Sequence, residues 1–379
     1  MFAPILSLPP IEHIITAELS LTHAQTGLLF SLPIAILAVI AIPSGLLADR
    51  ISIRKAAGIG AITIAVGSLL RGTATTSWAI FGFTSLFGVG FALIYPNLPK
   101  LIGAWFPRER AGLVTGIYTT GIALGCTLPL TITLPLVFSV TNSIQGVFYI
   151  WSIPAIAATI LWWMSVKEPP PSTQLKALGN VTKSSFGVFW NRDLWLVALM
   201  LFANCFHFYI WAGWAPALMM LKGASPEMAA FIASVRGWVG LPVIFLMPWA
   251  SYKVGLRKPF LWASALVLAL ASYAAMYITV PLGWLLMVVI GIPVAGAFSM
   301  ILALPVELVP KDSVGVASGM MLSVGYIGGL IGPWLTGYLF DITGNLNLAL
   351  LVLTGVAIVW VFIAFFIPET GPKGRQKKN

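Results

Sequence analysis

Charge is what this sequence has least of. Asp, Glu, Lys and Arg make up 8% of its 379 residues, while 59% are hydrophobic. A soluble globular domain carries roughly a quarter charged residues, so that class is excluded. Only 11 residues are acidic, and none lies in the middle of an apolar run, which leaves no paired carboxylates for acid–base chemistry. Two cysteines, Cys126 and Cys205, sit in apolar runs, and the three histidines are scattered. That is too few ligands for a disulfide framework or a zinc site. No Ser/His/Asp set lies in the runs either. The expectation is a protein that is not an enzyme and has no metal or cofactor.

What the sequence does have is long apolar runs. A membrane-spanning helix needs about 20 mostly apolar residues, and twelve such runs alternate with polar breaks. They cover residues 1–17, 23–47, 55–75, 78–104, 110–138, 144–166, 193–221, 226–251, 258–279, 281–306, 314–339 and 346–367. This predicts an all-α membrane protein with twelve transmembrane helices.

The basic residues orient these spans, because cytoplasmic loops are enriched in Lys and Arg. Alternate loops and the tail hold Arg50, Arg54 and Lys55; Lys100, Arg108 and Arg110; Lys167, Lys176, Lys183 and Arg192; Lys253, Arg257 and Lys258; Lys311; and Lys373, Arg375, Lys377 and Lys378. These are 18 of the 21 bases, and only Lys222 falls in an opposite-side loop. Both termini are therefore expected on the cytoplasmic side of the plasma (inner) membrane. The net charge of +10 reads as topology, with membrane lipid and not nucleic acid as the large partner.

An offset of 203 residues superposes the two halves. It carries Pro107, Arg108, Glu109, Gly112 and Gly116 onto Pro310, Lys311, Asp312, Gly315 and Gly319, and Arg50, Arg54 and Lys55 onto Lys253, Arg257 and Lys258. The expected organisation is two pseudo-symmetric six-helix halves, residues 1–166 and 193–368, joined by a cytoplasmic linker at 167–192 and followed by a basic tail at 369–379. Paired halves around a central site are how many secondary transporters are built. The seventh run opens near Asp193, so its symmetric counterpart would start about ten residues before Met1. The first span is therefore expected to be truncated, and no basic leader or cleavage site marks it as a secretory signal.

Between the second and third spans the chain reads Gly45-Leu46-Leu47-Ala48-Asp49-Arg50-Ile51-Ser52-Ile53-Arg54-Lys55. This resembles the loop signature of the major facilitator superfamily, Gly-x-x-x-Asp-Arg-x-Gly followed by bases, with Ser52 in place of the usual Gly. The second copy, Tyr252-Lys253-Val254-Gly255-Leu256-Arg257-Lys258, keeps the Gly and loses the Asp. Within the superfamily the sequence is most similar to the cyanate and nitroimidazole permease-like group, with nitrate/nitrite porters as more distant relatives. The residues that carry this are Leu70-Arg71, Gly88-Val89-Gly90, Pro96-Asn97-Leu98-Pro99 and the run from Arg110 to Tyr118. The resemblance implies the major facilitator fold and secondary transport.

Gly45, Asp49, Arg50 and Arg54 form the candidate gating motif. Asp49, at the end of the second span, can accept from a helix N-terminus or an Arg, giving a latch that forms in one transport state. The alternative is that Arg50, Arg54 and Lys55 serve only as positive-inside anchors. Glycines of the fifth and eleventh spans let helices approach and slide, and plain close packing explains them equally well.

An ionisable group in the hydrocarbon is a functional candidate by default. Arg236 lies ten residues into the eighth span, about 15 Å deep, near the midplane. Arg71 is 16 residues into the third span, about 24 Å, close enough to the outer surface to snorkel. His207 is 14 residues into the seventh. Glu12 and His13 fall near the outer end of the first. A planar guanidinium at the midplane suits a carboxylate, cyanate or nitrate-like anion, against the alternative of a structural Arg held by carbonyls. The candidate substrate-binding set is Arg236, Asn97, Tyr118, His207 and Arg71. Nitrate porters are expected, from the family, to use a second Arg in the second span. The position symmetric to Arg236 is Pro33, which weighs against nitrate.

The resulting expectation is a secondary active transporter that moves a small anionic solute by alternating access. It is taken to work as a monomer, coupled to a proton, through His207 or the substrate, or to a counter-anion. A multidrug exporter of the same fold and a non-transporting sensor remain as alternatives.

Overall fold

A computed structural model describes residues 1–98, 101, 105, 108–167, 183–310 and 313–376, with the side chains of 41, 42, 45, 46, 49, 108–113, 115, 116, 183–186, 315, 375 and 376 outside the description. Every element among the described residues is helical: α1 (Ala3–Leu6), α2 (Glu12–Glu18), α3 (His23–Ile51), α4 (Ile53–Arg71), α5 (Ser77–Ile94), α6 (Arg108–Ile132), α7 (Ile144–Ser165), α8 (Arg192–Leu221), α9 (Pro226–Val254), α10 (Lys258–Ala274), α11 (Gly283–Leu308), α12 (Val314–Thr343), α13 (Asn347–Phe366) and α14 (Pro372–Gln376). Ten of the described helical stretches are long and apolar enough to cross a membrane.

Local chemistry sets the ends of these helices. Thr22 and Gln25 form a reciprocal capping box at the start of α3, which satisfies two otherwise orphaned donors. Ser143, Asn191 and Ser225 accept from the first turns of α7, α8 and α9, and Pro226 occupies the first helical position of α9. Gly255 and Gly344 end α9 and α12 in the left-handed conformation, at φ +82° and +69°, which glycine adopts without a Cβ penalty.

The first apolar run departs from expectation: it is not one helix. Pro9 and Pro10 lack amide donors and disfavour helical geometry in the residue before them. The segment therefore breaks into α1, a 3-10 turn at Pro9–Ile11, and α2. The ninth is also shorter than expected, since α10 ends at Ala274. The fifth continues past Ile132 as a π-helical stretch, Thr133–Phe138.

The chain divides into two compact units, Met1–Gly179 and Asn180–Asn379. In the first, α4 packs on α5 and α7, and α5 on α3. The α4–α5 crossing is close because it is lined with glycine. A Cβ on Gly60 would lie 2.8 Å from the Gly90 carbonyl oxygen, and one on Gly67 would lie 2.7 Å from the Phe87 amide nitrogen.

In the second unit α8 is the most enclosed of the described spans, with 20 of its 30 residues buried. It lies against α12, whose Gly325, Gly329 and Gly332 pack on Leu201, Tyr209 and Ile210. The glycines of the fifth span behave differently. A Cβ at Gly121 would meet no atom within 4 Å among the described residues, and one at Gly125 only Phe2 and Ala3.

Candidate functional site

Arg236 sits in the second turn-pair of α9, 4% exposed. Its guanidinium carbon lies 4.7 Å from the centroid of the Phe208 ring on α8, a stacking that holds the planar fork at low entropy cost. Behind it, α11 approaches so closely that a Cβ on Gly291 would stand 2.7 Å from the Arg236 carbonyl oxygen. One glycine and one aromatic ring thus fix both the backbone and the head of this arginine.

On α8, Asn204 is fully buried and donates through Nδ2 to the Val294 carbonyl at 3.0 Å, tying α8 to α11. His207, one turn further, is fully buried as well. Its Nδ1 lies 2.8 Å from the Ala203 carbonyl oxygen, and a carbonyl can only accept, so Nδ1 carries the proton. The ring lies near Trp360 of α13, at 6.5 Å between centroids. His207 is therefore enclosed by α8 and α13 of its own unit.

In the first unit Asn97 is 1% exposed and donates through Nδ2 to Ser44 Oγ at 3.1 Å and the Leu93 carbonyl at 3.0 Å. It closes the α3–α5 contact from a 3-10 turn, Tyr95–Asn97, at the end of α5. Tyr118, on α6, is half-buried.

Arg71 corrects an expectation. It does not reach the surface but is 1% exposed. Its Nη1 donates to the Pro4 carbonyl at 2.8 Å, and its guanidinium lies 4.4 Å from the Phe148 ring and 6.0 Å from the Phe87 ring. The Pro4 carbonyl and the Phe148 and Phe87 rings enclose the guanidinium, which closes the snorkelling route.

In the loop motif, Gly45 and Asp49 belong to the last turns of α3, and their side chains lie outside the described residues, so the latch expected of Asp49 falls there too. Arg50 is exposed. Arg54 is engaged within its own unit: Nε donates to the Val166 carbonyl and Nη2 to the Trp163 carbonyl at 3.3 Å, while the head lies 5.3 Å from the Trp163 ring. Trp162 Nε1 returns a bond to the Arg54 carbonyl at 3.1 Å. A cation on the last carbonyls of α7 complements the helix dipole.

Two arrangements escaped the sequence reading. The second loop copy has Tyr252 where the first has Asp49, yet a carboxylate serves that loop. Glu369, after α13, accepts from the amides of Arg257 at 2.7 Å, Lys258 at 3.1 Å and Gly371 at 2.8 Å, capping α10. Arg257 meanwhile pairs with Glu307 at 2.6 Å, and Lys258 Nζ donates to the Phe365 carbonyl. The lost Asp signalled an unfilled role, but not which residue fills it.

The other is Glu12, 6% exposed. It lies 3.0 Å from His23 Nδ1 and accepts from Thr16 at 3.1 Å. Acid and histidine stand eleven residues apart in the sequence, across the turn that joins α2 to α3.

Two units of long apolar helices, a midspan arginine and enclosed polar groups define a multi-pass membrane transporter. The sequence profile of the Major Facilitator Superfamily matches residues 1–232 and 215–379, and the chain belongs to that superfamily; it is a transporter and not an enzyme. It is 29% identical to the 2-nitroimidazole transporter of Escherichia coli (strain K12) over 94% of this chain and 88% of that one. It is 25% identical to the cyanate transport protein CynX of the same strain, over 86% and 83%. In fold it is similar to a bacterial homolog of the human lysosomal transporter Spinster, solved in an inward-facing and unoccupied conformation. The TM-score is 0.81 at 18% identity, covering 96% of this chain and 93% of that one.

Proposed function

We propose that the protein moves a small anionic solute across the membrane by alternating access, with Arg236 as the central anion ligand. The carrying observation is the setting of Arg236: ten residues into a span, 4% exposed, its head stacked on Phe208 at 4.7 Å and its backbone seated on Gly291. A preorganised guanidinium fork in a low-dielectric site recognises a planar anion in two-pronged fashion. A relative named for cyanate transport supports the same solute class. Asn97, Tyr118 and His207 are further proposed solute-binding groups, each within its own unit, and Gly45, Asp49, Arg50 and Arg54 the proposed gating motif; Arg71, enclosed by Pro4, Phe87 and Phe148, is set apart from Arg236. Coupling is to a proton or a counter-anion, the protein works as a monomer, and both termini face the cytoplasm.

A neutral nitroheteroaromatic solute is the second reading, favoured by the 2-nitroimidazole relative. One experiment separates them: uptake by proteoliposomes of small anions beside neutral and cationic compounds, with the wild type and Arg236→Ala. Saturable anion flux, lost in Arg236→Ala while the protein stays folded, is the expected result. Anion flux that survives the substitution, or transport of neutral or cationic compounds only, overturns the Arg236 assignment.

A further inference from the structure

The most isolated charge among the described residues is at Arg71. Its Nη1 is satisfied by the Pro4 carbonyl, but Nε and Nη2 are buried with no hydrogen-bond partner among the described residues. No carboxylate pairs with it there either. Two aromatic rings, Phe148 and Phe87, flank the head and offset part of the desolvation cost. They bring no negative charge and no acceptor for the two remaining edges.

Two hydroxyls share this condition. Ser68 stands one turn before Arg71 on α4, and Thr84 lies on α5; each is 1% exposed, and the oxygen of each is buried without a partner among the described residues. The α4–α5 register sets Thr84 and Arg71 at one level, with Ser68 one turn away. Gly67 faces Phe87 and Gly60 faces Gly90, and consecutive helices joined by a short turn run antiparallel, so one further turn along α4 places Arg71 level with Thr84.

Buried polar groups are satisfied in native proteins, and a buried cation needs a compensating charge. Water would answer the hydrogen bonds but not the charge. We infer that Arg71, Ser68 and Thr84 form a buried binding site for one small monovalent anion, of chloride or cyanate size, inside the first unit. The site is separate from Arg236 and does not depend on the transport reading. Arg71 offers two donor nitrogens, Nε and Nη2, and the hydroxyls of Ser68 and Thr84 turn their protons toward the same ion. The occupant can be a halide from solution or the anionic solute itself.

The test is thermal unfolding of the full chain in neutral detergent, with sodium chloride exchanged for sodium gluconate at constant ionic strength. The unfolding temperature should rise with chloride along a saturating curve, as for any ligand that binds only the folded state, and bromide should substitute for chloride. Thr84→Val, close to isosteric, should raise the apparent chloride Kd about tenfold, the weight of one hydrogen bond to a charged group. Arg71→Gln should abolish the response, and Arg236→Ala should retain it. Where Arg71→Gln does not fold, Thr84→Val and Ser68→Ala carry the comparison. An unfolding temperature indifferent to both halide and cyanate overturns the site, as does a chloride curve unchanged by Thr84→Val or one that disappears in Arg236→Ala. Stabilisation by cyanate but not by halide assigns the occupant to the solute class, provided Thr84→Val weakens it and Arg236→Ala does not. A protein that moves no anion in liposomes yet keeps a Thr84-sensitive halide response loses the transport reading and keeps this one.

Discussion

Ser52 and Gly255 are equivalent residues, 203 apart in the sequence, and both hold a positive φ, +90° at Ser52 and +82° at Gly255. The first loop keeps a conformation suited to glycine although its glycine has been replaced. With ψ at 148°, Ser52 lies in a region populated almost only by glycine, at a cost of order 1–3 kcal/mol. Its hydroxyl recovers part of this by accepting from the Lys55 amide at 3.3 Å.

Ser52→Gly should therefore stabilise the first unit by about 1 kcal/mol, since a glycine cap gives up only a few tenths. Gly255→Ala should destabilise by about 1 kcal/mol or more, because the Lys373 side chain a Cβ would meet is flexible and the backbone angle is not. Denaturant unfolding of the two variants measures both; a Ser52→Gly protein weaker than wild type would contradict the account of strain.

Gly291 supports Arg236 without offering a side chain. Gly291→Val would drive α11 off the Arg236 carbonyl, which a Cβ already approaches at 2.7 Å. A displacement of this size at a binding group costs about tenfold to a hundredfold in function. Uptake kinetics of the folded variant should show that loss, while Gly121→Ala, where a Cβ meets nothing within 4 Å among the described residues, should show none from packing inside its unit.

Glu369 is expected to act as a helix cap. Glu369→Ala leaves the amides of Arg257 and Lys258 without their acceptor and should cost about 1–2 kcal/mol. Hydrogen exchange at the start of α10 should speed up accordingly. Unchanged protection there would show that the carboxylate contributes nothing.

Arg54→Ala removes the cation from the end of α7, where it meets the Val166 and Trp163 carbonyls. The expected loss is about 1 kcal/mol, partly screened by salt. Because Lys55 stays, the basic character of the loop is nearly kept, so stability should fall while membrane orientation does not change. An inverted orientation in a cysteine-accessibility assay would show that Arg54 matters chiefly as a topological anchor.

Most of the helix layout was legible in the sequence because a span announces itself by length. The eighth run, read as 226–251, is α9 at Pro226–Val254; the sixth, read as 144–166, is α7 at Ile144–Ser165. The first failed because an apolar count is blind to the two prolines that break it. Candidate residues were legible as types but not as surroundings. Arg236 could be placed at mid-depth, yet nothing in the sequence told of Phe208 over it or Gly291 behind it. Of the two readings of Arg71, snorkelling is excluded by its burial, and depth along a helix could not decide this because it does not say which face looks inward. Glu369 was invisible because its role depends on a chain segment 111 residues from Lys258 in the sequence.

The segment after the last described span is fastened to the loop before α10. Lys373 donates its amide to the Gly255 carbonyl at 3.0 Å, two residues before the amides held by Glu369. For anyone handling the protein, the boundary of the last span is thus not a safe cutting point. A truncation after Ile367 keeps every apolar span whole and still removes a cap from α10, whereas a purification tag placed after Asn379 leaves that fastening intact.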